Sequence, residues 1–267
     1  MFPWRRVLIP TDFSTAARWA FDTAIHLAGA TAAELLILHI RMTRTSRPTE
    51  LRFPADPVLY DYAEQYELEA LRERARELNA SVTTRLIVRQ APDPGNEVCR
   101  AAKDEGADLI VIATHARHHV AHLIIGSTTL AVLHDPPAPV LAVRYGTKRR
   151  RRMKRLLVPV HLKQTSTAAL DLAMSIAARE EGELHLAIVC DRADRSAAQA
   201  HIDEVAARAQ GVRVEKVVIE GSDVERELVR YAGRSDADAI VVHSTIGDVK
   251  QAVIRSAETP VLIVPAA

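Results

Sequence analysis

Aromatic residues make up only 4% of this 267-residue chain, and cysteine occurs just twice, at Cys99 and Cys190. The first scarcity removes the stacking platforms on which single-stranded nucleic-acid binders lay their bases. The second excludes a disulfide framework: the two cysteines are far apart, neither has a CxxC partner, and both read as buried thiols of a reducing compartment. An excess of one charge is also missing. Charged residues are 26% of the chain while the net charge is +1, so the chain as a whole carries no bias toward nucleic acid or membrane. No apolar run approaches the roughly 18 residues of a membrane span, and the opening MFPWRRVLIPTD lacks the apolar stretch of an export signal. The expectation is a cytoplasmic protein. GxSxG, a Walker GxxxxGK[ST], HExxH and a GxGxxG after the first strand are absent too, so no catalytic residue is assigned.

What the sequence does contain is a repeat, and 48% hydrophobic residues to build two cores from. RRVLIPTD (5–12) recurs as KRLLVPVH (154–161), and ELLILHI (34–40) as ELHLAIV (183–189). ADLIVIATH (107–115) recurs as ADAIVVHST (237–245), and APVLAV (138–143) as TPVLIV (259–264). The offset is 149 residues for the first two pairs, 130 for the third and 121 for the fourth, which places two deletions in the second copy, one of nineteen residues between the second and fourth strand-like segments and one of nine between the fourth and fifth.

Within each copy, short β-branched runs alternate with longer stretches of helical period, the pattern of βαβ units and a parallel sheet. In the first copy, strands are predicted near 6–10, 34–40, 83–88, 108–112 and 139–143. The first helix carries Ala17, Phe21, Ala24, Ile25 and Ala28 on one stripe, with Ser14 as its N-cap and Gly29 as its stop. Residues 42–57 read as a surface excursion. The fold class is therefore α/β, with one domain over 1–147, a basic linker over 148–155 and a second domain over 156–267. The linker, KRRRRMKR, holds seven basic residues in eight and reads as a solvated connector. His39 and His185 fall inside strand patterns and read as satisfied or edge histidines.

IPTDFS at the first strand exit, DPGNEV, GADLIVIATHAR, GST and PAPVLAV together resemble the universal stress protein family in its tandem form, over nearly the whole chain. That resemblance implies two Rossmann-like, doubly wound domains, each with five parallel strands, and pairing across the closing strands. It also implies a regulatory stress-response role and an ATP site, with Mg²⁺ accompanying the nucleotide. The family loop runs Gly, two residues, Gly, nine residues, Gly-Ser; here it falls on Ala113, Ala116 and Gly126-Ser127, with its spacing intact. Glycines at such a loop let backbone N–H groups close on a phosphate beside a helix N-terminus. If the two alanines had to be left-handed, each would cost about 1–2 kcal/mol; if only a missing methyl mattered, the cost would be slight. The resemblance assigns Asp12 to the nucleoside, Ile40 to the adenine, and Arg117, Ser127 and Thr128 to phosphate. Asp12 and Ser127 would serve equally as plain helix caps.

In the second copy the deletion removes the counterpart of RHHVAHLII; His161 replaces Asp12, and Asp248 stands where Ser127 was. A carboxylate at a helix start repels a triphosphate. The second half is expected to have its pocket trimmed shut, to bind no nucleotide and to serve as a built-in dimer partner. Its pairing strands, near 139–143 and 260–264, would join within one chain, and two chains would form a homodimer. Two rivals to the nucleotide reading remain: a nucleotide-free scaffold that binds partners, and metal binding by His115, His118, His119 and His122, whose spacings suit two imidazoles on one helical face.

Overall fold

The computed structural model describes residues 2–42, 56–114, 125–148, 150–162, 166–244 and 247–266. In the first half β1 (Arg6–Thr11), β2 (Glu34–Met42), β3 (Thr84–Ala91), β4 (Leu109–Thr114) and β5 (Val140–Arg144) alternate with α1 (Thr15–Thr31), α2 (Pro57–Leu78), α3 (Pro94–Asp104) and α4 (Ser127–His134). The second half repeats the plan with β6 (Arg155–Pro159), β7 (Glu183–Cys190), β8 (Arg213–Glu220), β9 (Ala239–His243) and β10 (Val261–Val264). Its helices are α5 (Thr167–Glu180), α6 (Arg195–Arg208), α7 (Val224–Arg234) and α8 (Gly247–Ser256).

All ten strands form one sheet in the order β3-β2-β1-β4-β5-β10-β9-β6-β7-β8. Within each half every pairing is parallel, as crossover helices require. The seam is antiparallel: Leu262 faces Leu141, with Val261 opposite Ala142 and Ile263 opposite Val140. The expected pairing of the closing strands is thus made inside a single chain.

Helices cover both faces, so the central strands read as unbroken apolar runs, and all six residues of β4 are buried. Alternation along each strand sorts the side chains. Val7, Ile9, Leu35 and Ile37 join Phe21 and Ile25 of α1 on one face. Leu8, Leu36 and Leu38 meet Val98 of α3 and Val132 of α4 on the other. The outer strands β3 and β8 are protected by charge instead, from Arg85 and Arg89 at one edge and Arg213 and Lys216 at the other.

Ser14 caps α1 as expected, its Oγ accepting from the Ala17 amide at 3.0 Å. Gly29 is not the stop. The helix continues to Thr31 and ends on a left-handed Ala32. Gly29 is a close-approach residue, since a Cβ there would lie 2.0 Å from Nδ2 of Asn79 at the end of α2.

A second correction concerns the basic linker. Among its cations, Lys148 and Arg150 pair with acids of the second half: Lys148 Nζ, on a side chain still 64% exposed, lies 2.7 Å from Asp236, and Arg150, only 11% exposed, pairs with Asp236 and Asp238 at 2.8 and 3.1 Å. These cations hold the Asp236 carboxyl down to about 2. The duplication extends to such anchors. Asp108 accepts from the Arg5 and Arg6 amides at 2.8 and 3.0 Å, and Asp238 accepts from the Lys154 and Arg155 amides, both at 2.9 Å.

Candidate functional site

In an open α/β sheet ligands sit beyond the carboxyl ends of the strands, where strand order reverses. In the first half that point lies between β1 and β4. As β1 ends, Thr11 Oγ1 accepts from the Phe13 amide and Asp12 Oδ1 from the Ser14 amide, both at 2.9 Å. These side-chain turns hold Phe13 at φ 59, left-handed for a bulky residue and worth about 1–2 kcal/mol of strain. The Phe13 ring is buried with its centroid 4.6 Å from that of His39, while Asp12 is left exposed at the strand ends. Backbone strain of this kind concentrates where geometry serves a ligand.

Across the crevice, β4 ends at Ala113 and Thr114. Ala113 is regular strand, absent from the positive-φ residues among those described, so its methyl carries no left-handed penalty and lies in the core. Its carbonyl accepts from Thr129 Oγ1 at 3.0 Å, which fixes the start of α4 against the strand. Gly126 takes the N-cap position with extended dihedrals, and among the described residues no side chain caps this helix. Ser127 is therefore the first helical residue rather than the cap. Side chains do cap α1, α2 and α3, from Ser14, Asp56 and Asp93. α4 thus presents amide N–H groups to the strand ends, an arrangement suited to an anion. Gly95, opening α3, lets the two helices meet: a Cβ there would lie 2.4 Å from Cβ of Ala131.

Ile40 is half-buried near the end of β2, opposite Arg89 in register. Asp12, Ile40, Ala113, Gly126, Ser127 and Thr128 thus all belong to β-strand ends or to the segments that leave them. Ala116, Arg117, His115, His118, His119 and His122 lie outside the described residues, as does most of the 42–57 excursion. Among the described residues no cluster of three or more His, Cys, Asp or Glu could hold a metal, and no helix is long and apolar enough to cross a membrane.

Beside Asp12 the structure adds a network that the sequence reading had reduced to a satisfied histidine. His39 Nδ1 donates to the Thr11 carbonyl at 2.9 Å, and Nε2 lies 3.3 Å from Oε1 of the buried Glu64. Arg41 Nε donates to the same carboxylate at 2.8 Å, and its guanidinium lies 5.6 Å from the Tyr60 ring centroid. Burial pushes the His39 imidazole below its ordinary pKa, while the Thr11 carbonyl and then Glu64 pull the other way. The available signal was period: His39 and Arg41 share a face of β2, and Tyr60 and Glu64 are one turn apart on α2.

The second half departs at each of these points. Val160, His161 and Leu162 replace Thr11, Asp12 and Phe13, and Leu162 has no left-handed φ. Val189 replaces Ile40, and His243 replaces Ala113. The expected closure of this crevice is not found. A cavity of about 250 Å³ lies at the ends of β6, β7 and β9, because shortening the loop above a crevice leaves its floor of strand residues in place.

A parallel βα array of this strand order is Rossmann-like, and it is present here as two fused copies. The universal stress protein family model matches residues 3–144 and again residues 153–265, and the chain belongs to that family as a tandem member. A universal stress protein from Archaeoglobus fulgidus has the same fold over 100% of both chains, with a TM-score of 0.78 at 21% identity. Single-domain relatives cover about half of the chain. Universal stress protein YxiE of Bacillus subtilis is 28% identical over 148 residues, 53% of this chain and 99% of its own length. MJ0577 of Methanocaldococcus jannaschii is 26% identical over 154 residues, 53% of this chain and 95% of its own.

Proposed function

We propose that the protein is a regulatory adenine-nucleotide binder with one ATP site, in its first half, and with Mg²⁺ accompanying the phosphates. Asp12 receives the nucleoside hydroxyls, Ile40 borders the adenine, and Ala113, Ala116 and Gly126 form the loop. Arg117, Ser127 and Thr128 meet the phosphates. The observation that carries this reading is the strained turn at Phe13, which aims Asp12 at the strand ends and has no counterpart at Leu162. The uncapped start of α4 and the relaxed backbone of Ala113 support it. The second half takes no nucleotide by this route, and the setting is cytoplasmic. Two chains then associate as a homodimer, which light scattering reads directly.

The test is equilibrium titration of the full chain with ATP and Mg²⁺. Saturation at one site per chain below about 100 μM is expected, with affinity at least tenfold weaker in Asp12→Ala and unchanged in His161→Ala. Silence up to millimolar ATP overturns the proposal. A second reading, a nucleotide-free partner-binding module, is favoured by the apolar stripe on α2, where Val58, Leu59, Tyr62 and Tyr66 are 55–75% exposed. Silence toward ATP would leave that reading standing.

A further inference from the structure

The strained turn that ends β1 is held from outside itself. A left-handed backbone at a bulky residue such as Phe13 persists only where the surroundings over-determine it, and the two hydrogen bonds within the turn are made by the turn's own side chains. The outside hold is one ring. His39 lies opposite Thr11 in the β1–β2 register, and its Nδ1 is 2.9 Å from the Thr11 carbonyl, a group that only accepts, so Nδ1 carries a proton. The same ring packs on Phe13, centroid to centroid 4.6 Å. Its other nitrogen is fixed from α2, with Nε2 3.3 Å from Oε1 of Glu64 and 3.5 Å from the Tyr60 hydroxyl. Glu64 is anchored in turn by Arg41 Nε at 2.8 Å, and Arg41 also pairs with Asp61 at 2.9 Å. Thr11, Phe13, His39 and Glu64 are all buried. In the second half Val160, Leu162 and Ile188 stand where Thr11, Phe13 and His39 stand in the first, and the buried Ile188 has no side-chain donor. Among the described residues that follow β6 none is left-handed. Ring donor and strained turn are thus present together in one copy and absent together in the other.

We infer that His39 is the positioning residue of the first crevice: it holds the Thr11–Asp12–Phe13 turn in its left-handed form, and through that turn it sets the preference for a nucleotide with free ribose hydroxyls. The Asp12 Oδ1–Ser14 amide bond spans Phe13, so relaxation of Phe13 breaks the bond and lets the carboxylate leave its present direction. His39 acts through Asp12 and touches no ligand, since it lies buried beneath the turn. Glu64 and Tyr60 orient the ring, because the partner of one imidazole nitrogen fixes the role of the other. The ribose preference rests on the reading of the first crevice as a nucleotide site; the hold on the turn does not.

The experiment compares the full chain with His39→Ile, which installs the residue of the second copy, and with His39→Asn, whose side-chain amide brings an N–H close to the position of Nδ1. Protection of the Phe13 and Ser14 amides is read by NMR hydrogen exchange without nucleotide. It should fall about tenfold in His39→Ile and return in His39→Asn, while the amides of β4 and of the second half keep theirs. ATP and 2′,3′-dideoxy-ATP are then titrated with Mg²⁺. The unaltered chain and His39→Asn should prefer ATP about tenfold, and His39→Ile should bind the two alike. A merely structural histidine would weaken both nucleotides together. Unchanged protection in His39→Ile, equal loss in the two variants, or loss spread over both halves would each overturn the hold on the turn, whatever ATP does. Silence of the unaltered chain toward ATP would overturn the nucleotide reading and the ribose preference with it, and retained protection in His39→Asn against loss in His39→Ile would still support the hold on the turn.

Discussion

The two strand-end crevices of this molecule are built on arrays of the same strand order and offer opposite surfaces. In the first, β1 leaves the sheet through a strained turn that exposes a carboxylate, beside the buried His39 and Glu64 and the partly exposed Arg41 that pairs with Glu64. In the second, β6 leaves through Val160, His161 and Leu162 without a left-handed residue, and an aliphatic cavity opens behind them. Burial explains why the arrays agree: a strand residue packed on both faces has few tolerated replacements, as Leu8 and Leu157, both wholly buried, illustrate. Residues just past the strand ends carry no such constraint, so the copies diverged there. A duplicated domain can therefore keep its architecture while the surface at its strand ends is rewritten in three or four positions.

The sharpest way to break the comparison is to break the seam that joins the halves. Leu262 is fully buried opposite Leu141, and Leu262→Asp places an unpaired charge in the middle of the ten-stranded sheet. A loss of about 3–5 kcal/mol is expected in urea unfolding, with both halves affected. An unchanged midpoint would show that the halves are stable without each other.

A smaller effect separates the halves by acidity. The folded pKa of His39 lies below its unfolded value because burial disfavours the imidazolium. Between those two values the unfolded chain binds more protons, so stability rises with pH and is lost as the solution is acidified below about 6.5. Protection factors of the β1 and β2 amides, taken relative to the intrinsic exchange rate at each pH, should fall between pH 7.5 and 5.5, and His39→Gln should remove that dependence. Exchange that responds equally in the variant would assign the effect elsewhere.

The smallest expected effect lies at the linker. Asp236 has its carboxyl held to about 2 by Arg150 and Lys148, so its contribution is complete above about pH 4 and is lost as pH falls toward 2. Its side chain is 56% exposed, and solvent screening reduces that contribution to below about 1 kcal/mol. Asp236→Asn, which tolerates the left-handed backbone there, should lower stability by that amount at neutral pH and flatten the acid limb in urea titrations.

The repeat and the strand cores were legible because they are written in local patterns. Apolar runs such as LIVIAT and VLIV have few alternatives to a buried strand, and Ser14 sits one residue before a helical period begins. Gly29 was misread because its reason is an Asn79 side chain fifty residues away, and no local pattern announces a close approach. The basic linker was misread for a similar reason: Asp236 and Asp238 reach Lys148 and Arg150 only once β9 has been laid beside β6. The loop spacing from Ala113 to Gly126 was visible, but the backbone of Ala113, which decides the cost of its methyl, was not.

By itself the amino-acid order determined the family, the duplication and the five-strand plan of each half, because burial periodicity and turn chemistry act over a few residues. Tertiary structure alone decided the register of the β5–β10 seam, that Phe13 is strained while Leu162 is not, and that the second crevice stays open. Those properties depend on which distant side chains and strand ends come into contact, and packing settles that at long range.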